Sequence, residues 1–314
     1  FGVVCGGWAW FGVVGGWMQV QNGVESRLSD DVKGGMAMRG GDSTQCHNGL
    51  SREQVIQGET CKIGNMAQTA TIAILGDSHA ARVTDAFADT LNARGQAAVI
   101  YNASWCVPLM HFATDAVKKR NCVQNVNAWI NHILHKDEIE TIILFAEWSN
   151  YTVGSRFGAK VADSYVFDKF GTFSFADAKT AANAYHFERA VSYTFERLKN
   201  AGKQVVVIMP TPEFNFHVPK TLAKLKLFNQ SQTILPVVEK AGYDARNQEA
   251  ISILRQYADK FQFDIVDPFP IFCKTQICVF SDPKGQALFE DDNHLNYNGA
   301  QLLMGPIFHQ IDHQ

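Results

Sequence analysis

The segment Gly76-Asp77-Ser78-His79 places a hydroxyl between an apolar run and a helix-length stretch. A serine at a strand-to-helix turn projects at the carboxyl edge of a parallel sheet, where such sheets bind their ligands. The new helix offers free backbone N–H groups and the positive end of its dipole. A nucleophilic hydroxyl and a developing oxyanion need that environment. The same residues also suit an ordinary helix N-cap, because Asp and Ser side chains accept from backbone N–H groups. A second cluster, Asp291-Asp292-Asn293-His294-Leu295, lies near the far end of the chain. Serine attacks a carbonyl poorly at neutral pH without a base, and a histidine base needs an orienting carboxylate. Asp291 and His294 are three apart, so a helical turn puts them on one face. One ring nitrogen is then held by Asp291 while the other faces Ser78. A solvated acidic turn before the last helix is the competing reading.

The elements that must position these residues are legible as five short apolar runs. They are Thr71–Leu75, Ala97–Tyr101, Thr141–Phe145, Gln204–Met209 and Phe263–Val266. All are continuous and rich in β-branched residues, as expected of strands buried on both faces. Helix-length segments separate them at 79–94, 122–136, 178–200 and 244–261, and a last helix is expected from about Asn298 to His309, shortened or kinked by Pro306. This alternation predicts an α/β domain with a five-stranded parallel sheet covered on both sides. Right-handed crossovers put the functional edge at the carboxyl ends of the strands. Two long insertions, 153–177 and 212–243, are rich in aromatics, among them Phe157, Tyr165, Phe167, Phe170, Phe173, Phe175, Phe214 and Phe216. Such loops either shape substrate access or fill space over the core.

Composition narrows the class. The 314 residues suffice for one large domain or two small ones, and 46% hydrophobic against 19% charged side chains excludes a disordered chain. A net charge of −3 leaves no basic excess for nucleic-acid binding. No P-loop or dinucleotide fingerprint is present, so no cofactor is expected. His132/His135 and His309/His313 have spacings that can hold a metal, yet no H-E-x-x-H pattern accompanies them, and they read as surface histidines. Asp77 and His79 pack, cap or tune the turn. Glu147, at the active edge, contacts either a sugar hydroxyl or a structural hydrogen-bond partner.

Residues 1–20 carry no charged side chain and include Trp8, Trp10 and Trp17, which suits a terminal transmembrane helix or its interfacial end. A buried Gly-rich strand pair is the alternative. With neither an initiator Met nor a basic n-region, the stretch is not an ordinary signal peptide and reads as part of a longer protein. Residues 21–70 are polar and Gly-rich, a connector ahead of a domain spanning 71–314. Six of the seven cysteines fall as Cys46/Cys61, Cys106/Cys122 and Cys273/Cys278, each pair bracketing a short polar stretch. Local disulfides in an oxidising compartment fit better than zinc, since no C-x-x-C occurs. Six cysteines nevertheless allow about 15 pairings.

Together, GDSH after the first strand and D-x-x-H before the last helix resemble the SGNH (GDSL-type) hydrolase superfamily over roughly residues 70–311. That resemblance implies a three-layer α/β/α flavodoxin-like fold, with Ser78 as nucleophile, His294 as base and Asp291 as its orienter. Where the superfamily has G-x-N-D after the third strand, this chain reads Ala146-Glu147-Trp148-Ser149-Asn150, so Trp148 stands in place of the oxyanion-hole asparagine. Asn102-Ala103-Ser104-Trp105-Cys106 replaces the usual block-two glycine. The oxyanion and substrate positions thus fall to the Ser78 N–H, a backbone donor near Ser104, and Trp148. These departures, W-x-x-Y (Trp148, Tyr151), C-x-P (Cys106, Pro108) and G-x-x-x-R (Gly23, Arg27) are similar to the SGNH domain fused behind a membrane acyltransferase-3 domain in bacterial O-acetyltransferases. The resemblance implies an upstream membrane acyltransferase domain as partner, with the SGNH domain on the periplasmic side of a bacterial inner membrane. It implies transfer of an acyl group, acetyl above all, delivered across the membrane to hydroxyls of a surface polysaccharide such as lipopolysaccharide. A carbohydrate acetylesterase and a non-catalytic glycan-positioning domain are the rival readings.

Overall fold

The β-branched runs become strands whose successive side chains alternate between two buried faces. The computed structural model describes residues 46, 49–114, 121–157, 165–169, 183–227, 238–274 and 276–313. In chain order the strands are β1 (Lys62–Gly64), β2 (Ile72–Gly76), β3 (Ala97–Asn102), β4 (Phe112–Thr114), β5 (Thr141–Phe145) and β6 (Tyr165–Phe167). They continue as β7 (Gln204–Ile208), β8 (Val238–Glu239), β9 (Asp264–Val266), β10 (Cys273–Lys274) and β11 (Ile277–Cys278). The helices are α1 (Arg52–Ile56), α2 (Ser78–Arg82), α3 (Thr84–Ala93), α4 (Cys122–Leu134) and α5 (Trp148–Val153). After them come α6 (Asn183–Asn200), α7 (Val218–Leu227), α8 (Lys240–Phe261), α9 (Phe269–Phe272) and α10 (Tyr297–Asp312).

The central sheet has the order β1-β3-β2-β5-β7-β9. Its five predicted strands are parallel, in registers such as Ile74 opposite Ile100 and Ile143. The expected five-stranded sheet is corrected to six: β1 adds to the edge of β3 antiparallel, pairing Lys62 with Val99. Three residues with one buried side chain, Ile63, carry no periodicity to read, so the strand was hidden in what reads as connector. Residues 1–45, with the expected membrane segment and the Gly23/Arg27 motif, lie outside the described residues. Among those described, no helix is long and apolar enough to cross a membrane.

Period-two alternation splits each strand between layers. Ile72 and Ile74 pack with Phe87 of α3 and with Leu303 and Phe308 of α10. Ala73 and Leu75 pack on the opposite face with Trp129 of α4, Phe187 of α6 and Leu254 of α8. Three layers follow, α/β/α. α10 runs unbroken through Pro306, three residues beyond the expected end. Pro306 sits on the exposed side, where the carbonyl it leaves unpaired can reach water.

Three disulfides close the chain locally: Cys46–Cys61, Cys106–Cys122 and Cys273–Cys278, with Cα separations of 5.6, 5.2 and 3.8 Å. The described aromatics of the two insertions mostly fill the core. Tyr165 stacks on Phe112 at 5.3 Å, and Phe214 packs edge-on against Phe289 at 4.8 Å.

Candidate active site

The chain leaves β2 for β3 on one side and then returns to β5 on the other, which makes the carboxyl end of β2 a topological switch point. Ligands of doubly wound sheets bind in the crevice that such a reversal opens. Gly76 ends β2, and a Cβ there would meet the Phe145 carbonyl oxygen at 1.8 Å, so only glycine lets the two strand ends approach. Asp77 is the N-cap of α2, its Oδ1 accepting from the His79 N–H at 2.9 Å. Its Oδ2 accepts from the Glu147 N–H (3.0 Å) and the Tyr151 hydroxyl (2.9 Å), stitching the turn after β2 to the turn after β5. The Tyr of W-x-x-Y thereby acquires a role: it holds the capping aspartate. Burial pushes the Asp77 carboxyl up, against the backbone hydrogen bonds from His79 and Glu147.

Ser78, first residue of α2, is thus free of capping duty. Its Oγ lies 2.8 Å from His294 Nε2. His294 Nδ1 lies 2.7 Å from Asp291 Oδ2. The expected helical turn over 291–294 is instead a bend, in which Asp291 Oδ1 accepts from the N–H groups of Asn293 (2.9 Å) and His294 (2.8 Å). The insertion clamps this bend from outside, because the Phe214 and Val218 N–H groups donate to the carbonyls of Asp292 (2.7 Å) and Asp291 (3.0 Å). Burial opposes ionisation of Asp291, yet the His294 hydrogen bond and charge and the two backbone N–H groups hold it below the usual carboxylate range. An acceptor-only carboxylate is what a histidine N–H needs for orientation and for support of its charged form.

Behind this relay lies His79, whose ring sits 4.7 Å from that of His294. Burial first, and the neighbouring His294 second, hold its pKa well below the ordinary histidine value, so it packs as a neutral ring. Glu147 borders the cleft, its Oε1 accepting from the Asn293 amide at 2.9 Å. Burial, then the charges of Glu213 and Asp77, raise its pKa well above the usual range. Glu290, Asp291 and His294 lie within 4.8 Å of one another at metal-ligand spacing. Their atoms are engaged elsewhere: Glu290 pairs with Arg82 at 2.8 Å, and the other two serve the Ser78 relay.

Ser104 lies on the cleft wall with Trp105, as expected of the block-two loop. Trp148 does not. Its side chain is fully buried, its indole N–H donates to the Ile208 carbonyl at 2.7 Å, and it packs on Phe187. The position expected for an oxyanion or substrate group therefore anchors α5 against β7. Three cleft residues escaped the sequence reading as ligands of the site: Arg82, Trp105 and Arg156. Arg82 had a signal, since it stands one helical turn after Ser78. Arg156 had none, because it sits in a loop after α5.

Ser78, His294 and Asp291 thus stand hydrogen-bonded in series at the switch point of a doubly wound sheet. A family model described as SGNH domain (fused to AT3 domains) matches residues 45–310, and the chain belongs to that family. The family defines the activity class as acyl transfer or ester hydrolysis, and domains of this kind are joined to AT3 domains. The matched residues take in β1 and the Cys46–Cys61 disulfide.

Among solved structures, the chain is similar to the periplasmic domain of a lipopolysaccharide acetyltransferase from Salmonella ser. Paratyphi A. The identity is 20%, the TM-score 0.58, and 90% of this chain and 96% of that one are covered. It is also similar to a GDSL-like lipase from Bacteroides thetaiotaomicron, at 10% identity and a TM-score of 0.41, covering 83% of this chain and 97% of that one. No curated protein matches the chain.

Proposed function

We propose that this domain transfers an acyl group, acetyl in the simplest case, to a hydroxyl of a bacterial surface polysaccharide. The observation that carries the reading is the relay itself, with Ser78 Oγ 2.8 Å from His294 Nε2 and Nδ1 2.7 Å from Asp291. Ser78 Oγ attacks the acyl carbonyl and gives its proton to Nε2, and Asp291 supports the imidazolium that forms. The tetrahedral adduct collapses, the donor leaves with the proton from His294, and Ser78 is left acylated. A sugar hydroxyl then gives its proton to Nε2 and attacks the acyl-serine, and as the adduct collapses to the new ester His294 returns that proton to Ser78 Oγ. The acetyltransferase activity named for the Salmonella relative and the AT3 fusion of the family support transfer as the outcome. An AT3 membrane domain in the same polypeptide supplies the acyl group, and the three disulfides are consistent with the periplasmic side.

The test is the O-acetyl content of surface polysaccharide, measured by mass spectrometry, in cells carrying the wild-type gene or Ser78→Ala. Acetylation lost in the variant at normal protein level is the expected result. Unchanged acetylation overturns the nucleophile and leaves a glycan-positioning role. Water replaces the sugar when no acceptor is seated, so hydrolysis of a 4-nitrophenyl ester reports the same acyl-serine.

A further inference from the structure

Acyl transfer through Ser78, on which this inference rests, places a negative charge on the former carbonyl oxygen. That charge needs donors already in place when it develops. The turn supplies backbone N–H groups, but most side-chain donors around the cleft are spent. The Tyr151 hydroxyl donates to Asp77 (2.9 Å) and the Asn293 amide to Glu147 (2.9 Å). Arg82 is paired with Glu290 at 2.8 Å.

Arg156 is different. It lines the same cleft as Ser78 and His294, and it makes no ion pair with any described residue. Its Nε is buried with no hydrogen-bond partner among the described residues. The guanidinium lies over the Trp105 ring, 5.5 Å from its centroid. Trp105 is itself held in the left-handed backbone region, at φ 69°, and the next residue is locked by the Cys106–Cys122 disulfide. A bulky residue at such a φ is kept there by its surroundings, and such strain gathers at functional sites. The stapled loop therefore presents a flat aromatic shelf, and the shelf holds a planar cation in the cleft that Ser78 also lines. The charge is felt across the site: burial raises the Glu147 carboxyl and lowers the His79 ring, and Arg156 opposes the first shift and adds to the second.

We infer that Arg156 is a further catalytic residue, whose guanidinium donates to the oxyanion of the tetrahedral adduct on Ser78. When Oγ bonds to the carbonyl carbon, the π pair moves onto oxygen and the serine proton goes to His294 Nε2. Arg156 donates a charge-assisted hydrogen bond to that oxygen and keeps its own proton. The bond weakens again as the C=O re-forms and the leaving group departs with the His294 proton. The cation does here, from a loop after α5, what a neutral side-chain amide would do more weakly.

The experiment compares wild type, Arg156→Gln and Arg156→Lys of this chain in hydrolysis of the neutral ester 4-nitrophenyl acetate. Inhibition by methylboronic acid, which forms a tetrahedral adduct with an active serine, is measured alongside, together with Tm. The expected result for Arg156→Gln is a kcat about 10²-fold to 10³-fold lower, with KM within about threefold, as for loss of one oxyanion donor. The boronate Ki should rise, and Arg156→Lys should recover part of the loss. An unchanged kcat in Arg156→Gln overturns the inference and leaves the proposed function standing. A raised KM with unchanged kcat also overturns it, because Arg156 would then hold the ground state only. A wild-type chain without Ser78-dependent turnover overturns the proposed function, and this inference with it.

Discussion

In the proposed reaction Ser78 and His294 share one proton, so removing either removes the same step. Ser78→Ala and His294→Ala should each lower kcat for ester hydrolysis by roughly 10³ or more, and the double variant should be little worse than either single one. Multiplying losses would show two independent contributions and count against the relay. Folding should barely register Ser78→Ala, because Asp77 rather than Ser78 caps α2. Glu147 gives a prediction of opposite kind. Its carboxyl is raised by burial, so it favours the folded state fully below the unfolded carboxylate pKa and loses that contribution as pH rises towards its folded value. Glu147→Gln, which keeps an acceptor for Asn293, removes the cost of burying a charge. The variant should therefore gain Tm relative to wild type as pH goes from about 4 to about 8, by about 2–4 °C for each kcal/mol. A gap between the two proteins that stays constant over that range would show that Glu147 does not titrate with folding. Ser78, His294 and Asp291 were legible because their types and spacing sit next to element boundaries. Arg156 was not, since its place depends on where a loop folds back over Trp105.

Elements show where a sequence pattern stops specifying direction. The five parallel strands could be read because burial on both faces forces continuous β-branched runs. β1 could not, since it needs only Ile63 and an available edge on β3. The bend at 291–294 looks like a helical turn by spacing, but the Asp291 side chain takes the backbone N–H groups that a helix would use. Trp148 teaches the same lesson for α5: a motif position fixes a place on the backbone, while the side chain goes where it can be satisfied. Its indole both fills core volume and meets the Ile208 carbonyl. Trp148→Ala should accordingly destabilise the domain by about 3–5 kcal/mol, the range for deleting a buried aromatic. Trp148→Phe keeps most of the volume but strands a buried acceptor, at about 1–3 kcal/mol. Denaturant unfolding checks both values. In Trp148→Phe, KM for 4-nitrophenyl acetate should stay within about twofold of wild type, whereas a tenfold rise would return this residue to the substrate surface.

At the scale of the whole molecule, the staples divide by what they hold. Cys46–Cys61 brings the segment ahead of β1 to the sheet edge, and the Cys61 carbonyl accepts from Ile100 at 2.8 Å. Cys273–Cys278 joins directly opposed residues of β10 and β11, far in sequence from the nucleophile. Cys106–Cys122 closes the loop after β3, which carries Ser104 and Trp105 into the cleft. On the chain-entropy account, separations of 15 and 16 residues contribute about 3 kcal/mol each, and a separation of 5 contributes about 2 kcal/mol. Paired Cys→Ser variants should lower stability in that order, read as shifts of the denaturant midpoint. Activity should not follow the same order. Only loss of Cys106–Cys122 relaxes the shelf under Arg156, so only that variant should lose kcat beyond its loss of stability when assayed well below its melting temperature. A Cys46→Ser/Cys61→Ser variant that loses as much kcat as Cys106→Ser/Cys122→Ser, at equal folded fraction, would show that the staples act through global stability alone. The shelf would then have no separate hold on the site.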